Sequence, residues 1–432
     1  MKNTFVISCP IDTFSGYGAR SRDFVKALIE LDEYEVSIIP QRWGNCPENF
    51  IEQNKKEWGF LQKHITPALQ SKPDIWCMIT VPNEFQPVGK FNIGLTAGME
   101  TTNVHSSWVE GCNRMDLVLT SSQHSKFTFE SSHWQAQDKS HILKIKKPIE
   151  VLFEGVNLNI YKKIKKFTNK DLKDTINSIP EDFAYLTVGH WMQGDLGHDR
   201  KNIGLTVKAF YEIFKNKPNK PALILKTCRV GGSNIDREEI LKRISMIRET
   251  VNSNDLPSVY LLHGDFTDIE MNEIYNNPKI KAMISLTKGE GFGRPLLEFS
   301  TLDKPIITTG WSGHTDFLSK DYCALLGGEL EPVHKSAQIP DMILGEAQWF
   351  KVGDKWINNA YQDVYYNYKS WKDRSKKQGF YSRKNFSYEK MKLKIKEILD
   401  LNIPELPKKM ELKLPNMSKI KMPKKDKLKI VK

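Results

Sequence analysis

Short apolar, β-branched runs that alternate with helical periods constrain this chain more than any other feature. The runs are Phe5–Ser8, Val36–Pro40, Ile75–Thr80, Ile93–Ala97, Leu117–Ser121 and Ile149–Phe153. A second series is Ala184–Val188, Ala222–Leu225, Val259–Leu262, Ala282–Leu286 and Pro305–Thr309. Runs that are apolar throughout suit strands buried on both faces of a parallel sheet. Ala19–Leu31 and Gly204–Phe214 place apolar residues three and four apart, the helical period. Strand–helix alternation in two series predicts two doubly wound α/β domains. Asn157–Pro180, rich in Lys, Asn and Asp, reads as the link between them. The predicted domains are residues 1–160 and 161–384. Ile357–Ser375 and Phe386–Leu399 read as late helices.

The length of 432 residues fits two or three domains. The six cysteines, Cys9, Cys46, Cys77, Cys112, Cys228 and Cys323, form no C-x-x-C pair and no zinc-like cluster. Scattered thiols fit a reducing compartment. The apolar start FVIS is too short for a signal core, and no run is long enough to span a membrane. A cytoplasmic location is therefore expected, with contact at the inner face of a membrane left open. The formal charge of +12 is concentrated at the end. Residues 408–432 hold ten lysines against Glu411 and Asp426. Pro404, Pro407, Pro415 and Pro423 exclude a long helix over 401–432, so this segment reads as a disordered basic tail. Its lysines alternate with Leu, Ile and Met, which suits an anionic membrane surface.

The functional signal is KAMISLTKGEGFGRPLLEFS, residues 281–300. A strand runs into a glycine-rich turn, and a helix begins near Arg294 or Pro295. Pro295 suits a first helical turn. Gly289, Gly291 and Gly293 admit close approach of a bound group to the backbone. Free N–H groups at the helix start favour a diphosphate. Glu290 precedes the helix, where its carboxylate can accept from sugar hydroxyls; Glu298, one turn inside, can reach a ribose diol.

EGFGRPLLE resembles the Glu-x7-Glu signature of retaining GT-B glycosyltransferases. The resemblance implies two Rossmann-like domains facing across a cleft, with the acceptor on the first and the nucleotide sugar on the second. It implies a C-terminal crossover helix, here residues 385–400. It makes Glu290 the donor-sugar contact and Glu298 the ribose contact, with Gly291, Phe292, Gly293 and Arg294 between them. FEGVNLNIY (Phe153–Tyr161) resembles the family's interdomain segment, and TTGWSGHTDFL (Thr308–Leu318) the strand and turn that follow the motif. VGHWMQGDLGHDRKNIGLTVKAF resembles the stretch that places a lysine, here Lys201, on the donor diphosphate, with Arg200 beside it. The family commonly has Arg where this chain has His190. Arg200, Lys226 or His190 itself would then supply the second phosphate contact.

In the first domain, Gly16 and Gly18 of IDTFSGYGARSRDF form a glycine loop before a helix, a candidate phosphate contact. The loop after Ile93–Ala97 offers Glu100 first, and His105 second, as catalytic candidates facing the reacting sugar. His124 reads as a helix cap. No Asp-x-Asp lies in a strand-end loop, so neither metal nor other cofactor is expected, the nucleotide sugar being a co-substrate. The resemblance implies transfer of a hexose-type sugar to a glycan or lipid-linked acceptor, as in polysaccharide biosynthesis, with retention. Two other readings stay open: transfer to modified DNA bases, ranked lower, and a non-catalytic protein that binds nucleotide sugars or anionic surfaces.

Overall fold

The computed structural model describes residues 2–69, 71–135, 142–229 and 231–406. The basic segment 408–432 lies outside the described residues. The first series of runs forms one sheet of β1 (Asn3–Cys9), β2 (Tyr34–Pro40), β3 (Ile75–Ile79), β4 (Phe91–Leu95) and β5 (Leu117–Thr120). After β6 (Trp134–Gln135) and β7 (Ile142–Leu143), which pair antiparallel, β8 (Ile149–Val151) completes it. Its order is β2-β1-β3-β4-β5-β8, with every neighbour parallel.

The second sheet takes β9 (Ala184–Val188), β10 (Ala222–Lys226), β11 (Val259–Leu262), β12 (Ile280–Ser285) and β13 (Ile306–Thr309). To these it adds β14 (Ala324–Leu326), which the sequence reading missed because three residues carry too short a pattern. Its order, β11-β10-β9-β12-β13-β14, is also parallel throughout.

The apolar runs are continuous because both faces of each sheet are covered. In β3, Ile75, Cys77 and Ile79 enter the core on one face, while Trp76 and Met78 enter the core on the other. In β9, Tyr185 and Leu186 part in the same way. This is the period of two expressed in a strand with no polar side.

The link segment is more ordered than its composition suggests. It contains the helix Lys170–Asn177, and Leu172 and Ile176 are buried in the core under the second sheet. The first late helical pattern resolves into two helices, Asp354–Tyr366 and Tyr368–Asn385, broken at Asn367. The last helix, Tyr388–Asn402, then crosses back. Met391, Ile395, Ile398 and Leu399 share one face and sit in the first sheet's core. Tyr388 donates to Glu30 at 3.1 Å, and the Lys392 ammonium lies 2.9 Å from the same carboxylate. Among the described residues no helix is long and apolar enough to cross a membrane.

An arm absent from the sequence reading follows β14. Strands β15 (Gly328–Pro332) and β16 (Gln348–Val352) pair antiparallel, and residues 333–347 form a small core between them with Val333, Leu344 and Trp349. The arm touches both halves. Thr102 and Gln348 exchange two hydrogen bonds of 2.9 Å across the interface. On the other side, Gln193 donates to the Gln338 carbonyl at 2.8 Å.

Candidate active site

The C-terminal ends of the two sheets face each other, and the loop after β12 lies where they meet. Gly293, at φ +97, turns the chain into the helix Arg294–Ser300, with Pro295 in its first turn. The other two glycines have a different purpose from the one expected. A Cβ on Gly289 would lie 1.9 Å from the Glu100 carbonyl oxygen, and one on Gly291 would lie 2.3 Å from that of Ala97. These glycines let the second domain's turn lie directly on the first domain's backbone. Ser121 fastens the contact by donating to the Gly291 carbonyl at 2.9 Å.

Around this seam the structure assembles four charged side chains. The Lys201 ammonium lies 2.6 and 2.8 Å from the two oxygens of Glu290. One Arg200 guanidinium nitrogen lies 3.5 Å from Glu290 and 3.2 Å from Glu100. Glu100 belongs to the first half and the other three to the second, so the group spans the cleft. The loop that carries Arg200 and Lys201 is held at its end. Asn202 is left-handed, at φ +55, and the Asp199 carboxylate accepts from the Ile203 N–H at 3.2 Å. Burial pushes the Asp199 carboxyl up to about 6. The Glu290 N–H donates to the Ser312 hydroxyl at 2.9 Å, and the Glu290 carbonyl accepts from Gly313 at 2.9 Å. Burial alone would raise the Glu290 carboxyl; the Lys201 and Arg200 charges override it and hold the group at about 2.

Glu298 and Arg294 form a second group. Arg294 lies 3.2 Å from Glu298 and reaches across to Asp23 at 2.9 Å and Glu154 at 3.7 Å. Tyr275 donates its hydroxyl to Glu298 at 3.2 Å. Burial raises the Glu298 carboxyl to about 8, against the pull of Arg294. Arg294 thus joins the two halves as well as adjoining the motif.

The remaining expected residues divide. The His190 Nδ1 lies 3.8 Å from the Cys228 Sγ, and desolvation with the charges of Lys226, Lys201 and Arg200 lowers its pKa. Lys226 ends β10, its ammonium 5.6 Å from the centre of the Phe266 ring. Phe292 is core: it is 3 % exposed and packs on Phe317, so its side chain does not address the cleft. Gly18 is tight packing against Thr13, and its N–H is taken by the N-cap Ser15 at 2.9 Å. Gly16 is the open member of that loop. His105 is engaged elsewhere. It caps the helix Ser106–Arg114 through Ser107 and faces Asp341 of the arm at 3.4 Å. His124 is not a cap, a role Ser122 fills; its ring meets Trp311 edge-on at the domain seam. Asp23, Glu154 and Ser121 were missed, since each makes its seam contact with a partner more than 100 residues away, and the arm was missed because its strands are defined by pairing with each other.

No protein-family model matches the sequence, and no curated protein matches it. Solved structures do match its fold. Sucrose-phosphate synthase from Thermosynechococcus elongatus is similar with a TM-score of 0.58 at 10% identity, over 93% of this chain and 99% of that one. A glycosyltransferase from Rickettsia africae gives 0.55 at 14% identity, over 93% and 99%. HepE from Anabaena, in complex with UDP-glucose, gives 0.53 at 12% identity, over 92% and 100%. The two parallel sheets facing across a cleft, the helix that crosses back and these likenesses together give the chain the GT-B fold.

Proposed function

We propose that the chain is a glycosyltransferase that moves a hexose-type sugar from a nucleotide-sugar donor to a glycan or lipid-linked acceptor, with retention. The observation that carries this reading is the group of Glu290, Lys201, Arg200 and Glu100 at the seam of the two domains. HepE binds UDP-glucose on the same fold, which supports a nucleotide-sugar donor.

In this reading Lys201 exchanges part of its contact with Glu290 for the donor diphosphate, and Arg200 and His190 lie beside it. The bond from the anomeric carbon to the diphosphate oxygen breaks, and the acceptor hydroxyl oxygen bonds to that carbon from the same face. The hydroxyl proton passes to the departing phosphate oxygen. Lys201 and Arg200 stabilise the charge that collects there. Glu290, held ionised, accepts from a hydroxyl of the transferred sugar. Glu298 takes the ribose diol once Arg294 or Tyr275 yields. The two cations serve in place of a metal ion. Contact between the halves excludes water and limits hydrolysis of the donor.

The test is a mass-spectrometric screen of a nucleotide-sugar panel with the full chain and with Glu290→Gln. Consumption of one donor by the full chain, lost in the variant, is expected. No consumption or binding of any donor overturns the reading.

A further inference from the structure

The first domain carries an aromatic pair, Tyr17 and Trp43, of which Tyr17 packs against the domain core and Trp43 joins no core. Tyr17 opens the helix Gly16–Leu31, and its hydroxyl is fixed from two sides. It lies 3.0 Å from the Thr96 hydroxyl and accepts from the Ala97 N–H at 3.1 Å. Thr96 and Ala97 begin the loop that carries Glu100, and the Ala97 carbonyl is the group on which Gly291 lies. Tyr17 is therefore set against the seam.

Trp43 stacks on Tyr17, with ring centres 3.9 Å apart and planes 25° from parallel. It lies in the loop after β2, which opens at the same end of the sheet as the loops after β1 and β4. A tight turn holds this loop. The Cys46 N–H donates to the Trp43 carbonyl at 3.0 Å around Gly44 at φ +50. The Phe14 N–H donates to the Pro47 carbonyl at 2.9 Å. Yet Trp43 is half-buried and joins none of the apolar cores, and its indole N–H donates to no described residue. One face is covered by Tyr17. Arg42, Asn45 and Glu48 around it are exposed.

We infer that Trp43, backed by Tyr17, is the platform on which a sugar ring of the acceptor stacks. The C–H face of a pyranose is apolar and weakly positive, and suits the negative face of an indole. The exposed carboxylate, guanidinium and amide at its rim suit hydroxyls. A nucleobase would also stack, but Glu298, the residue assigned to the nucleoside, belongs to the other domain with Lys201, and the first domain's Gly16 and Gly18 are candidates for the phosphate alone. The inference rests on the proposed function and narrows it: the acceptor is a carbohydrate, and Trp43 positions it.

A glycan array probed with the labelled full chain tests this without needing turnover. The wild type is expected to bind a subset of glycans. Trp43→Ala should lose that signal by tenfold or more, and Trp43→Phe should keep most of it. Thermal melting should change little in either, since the ring is in no core. Affinity for the donor found by the screen should be equal in all three. No glycan binding by the wild type, or equal signals from wild type and Trp43→Ala, overturns the inference. So does an equal loss of nucleotide affinity in Trp43→Ala, which would give the platform to the base. An empty donor screen beside a Trp43-dependent array signal would remove the transferase reading and leave a carbohydrate site.

Discussion

Both oxygens of Glu290, in the loop after β12, face the ammonium of Lys201, in the loop after β9, at 2.6 and 2.8 Å. The sequence assigned these residues to different parts of one donor, the sugar and the diphosphate. Their direct pairing means that neither acts alone. Glu290→Gln should lower turnover on the order of 100-fold, as does removal of one preorganised polar contact in other active sites. A double-mutant cycle with Lys201→Met should show a coupling energy of about 1–3 kcal/mol. Additive effects on kcat/KM would separate the two roles.

Lys201→Ala should weaken binding of a nucleoside diphosphate far more than binding of the nucleoside, because the lost partner is phosphate. Isothermal titration with both ligands checks this. An equal loss for both would remove Lys201 from the diphosphate site.

Glu290 and Glu298 should tilt the stability profile in opposite directions. Glu290 is lowered from 4.5 to about 2, so its contribution is present above 4.5 and is lost as pH falls toward 2. Glu298 is raised from 4.5 to about 8, so its contribution is present below 4.5 and is lost as pH rises through 8. Glu290→Gln should flatten the acid limb of melting temperature against pH, and Glu298→Gln the limb from 5 to 8.5. Scanning fluorimetry from about pH 2 to pH 8.5 reads both; curves parallel to the wild type would contradict the assignments.

Gly289→Ala and Gly291→Ala should separate the halves without unfolding either. The added methyl would meet the backbone of Glu100 or Ala97, which a side-chain rotation cannot relieve. Overpacking of this kind costs about 1–3 kcal/mol. It falls on the seam, so activity should drop by tenfold or more while each domain core persists. Small-angle scattering should show a larger radius of gyration; an unchanged radius with full activity would show that the turn yields instead.

Chelation should leave turnover unchanged. The proposed mechanism assigns the leaving charge to Lys201 and Arg200, so assays with and without EDTA should agree. Loss of activity restored by a divalent cation would reassign that charge.

The sequence by itself determined the sheets. A strand buried on both faces has no polar period to blur it, so Ala184–Val188 was legible to the residue. It also determined the turn-and-helix around Glu290, because Gly293 and Pro295 act locally. It did not determine β14 or the arm over 328–352, whose strands depend on pairing more than on their own pattern. Nor could it show that Gly289 and Gly291 serve a backbone some 190 residues earlier in the chain, or that Arg294 reaches Asp23. Propensity and capping are local and can be read along the chain. The seam depends on which loops the two sheets bring together, and that is decided only when the last helix crosses back and buries Met391 and Ile395 in the first domain's core.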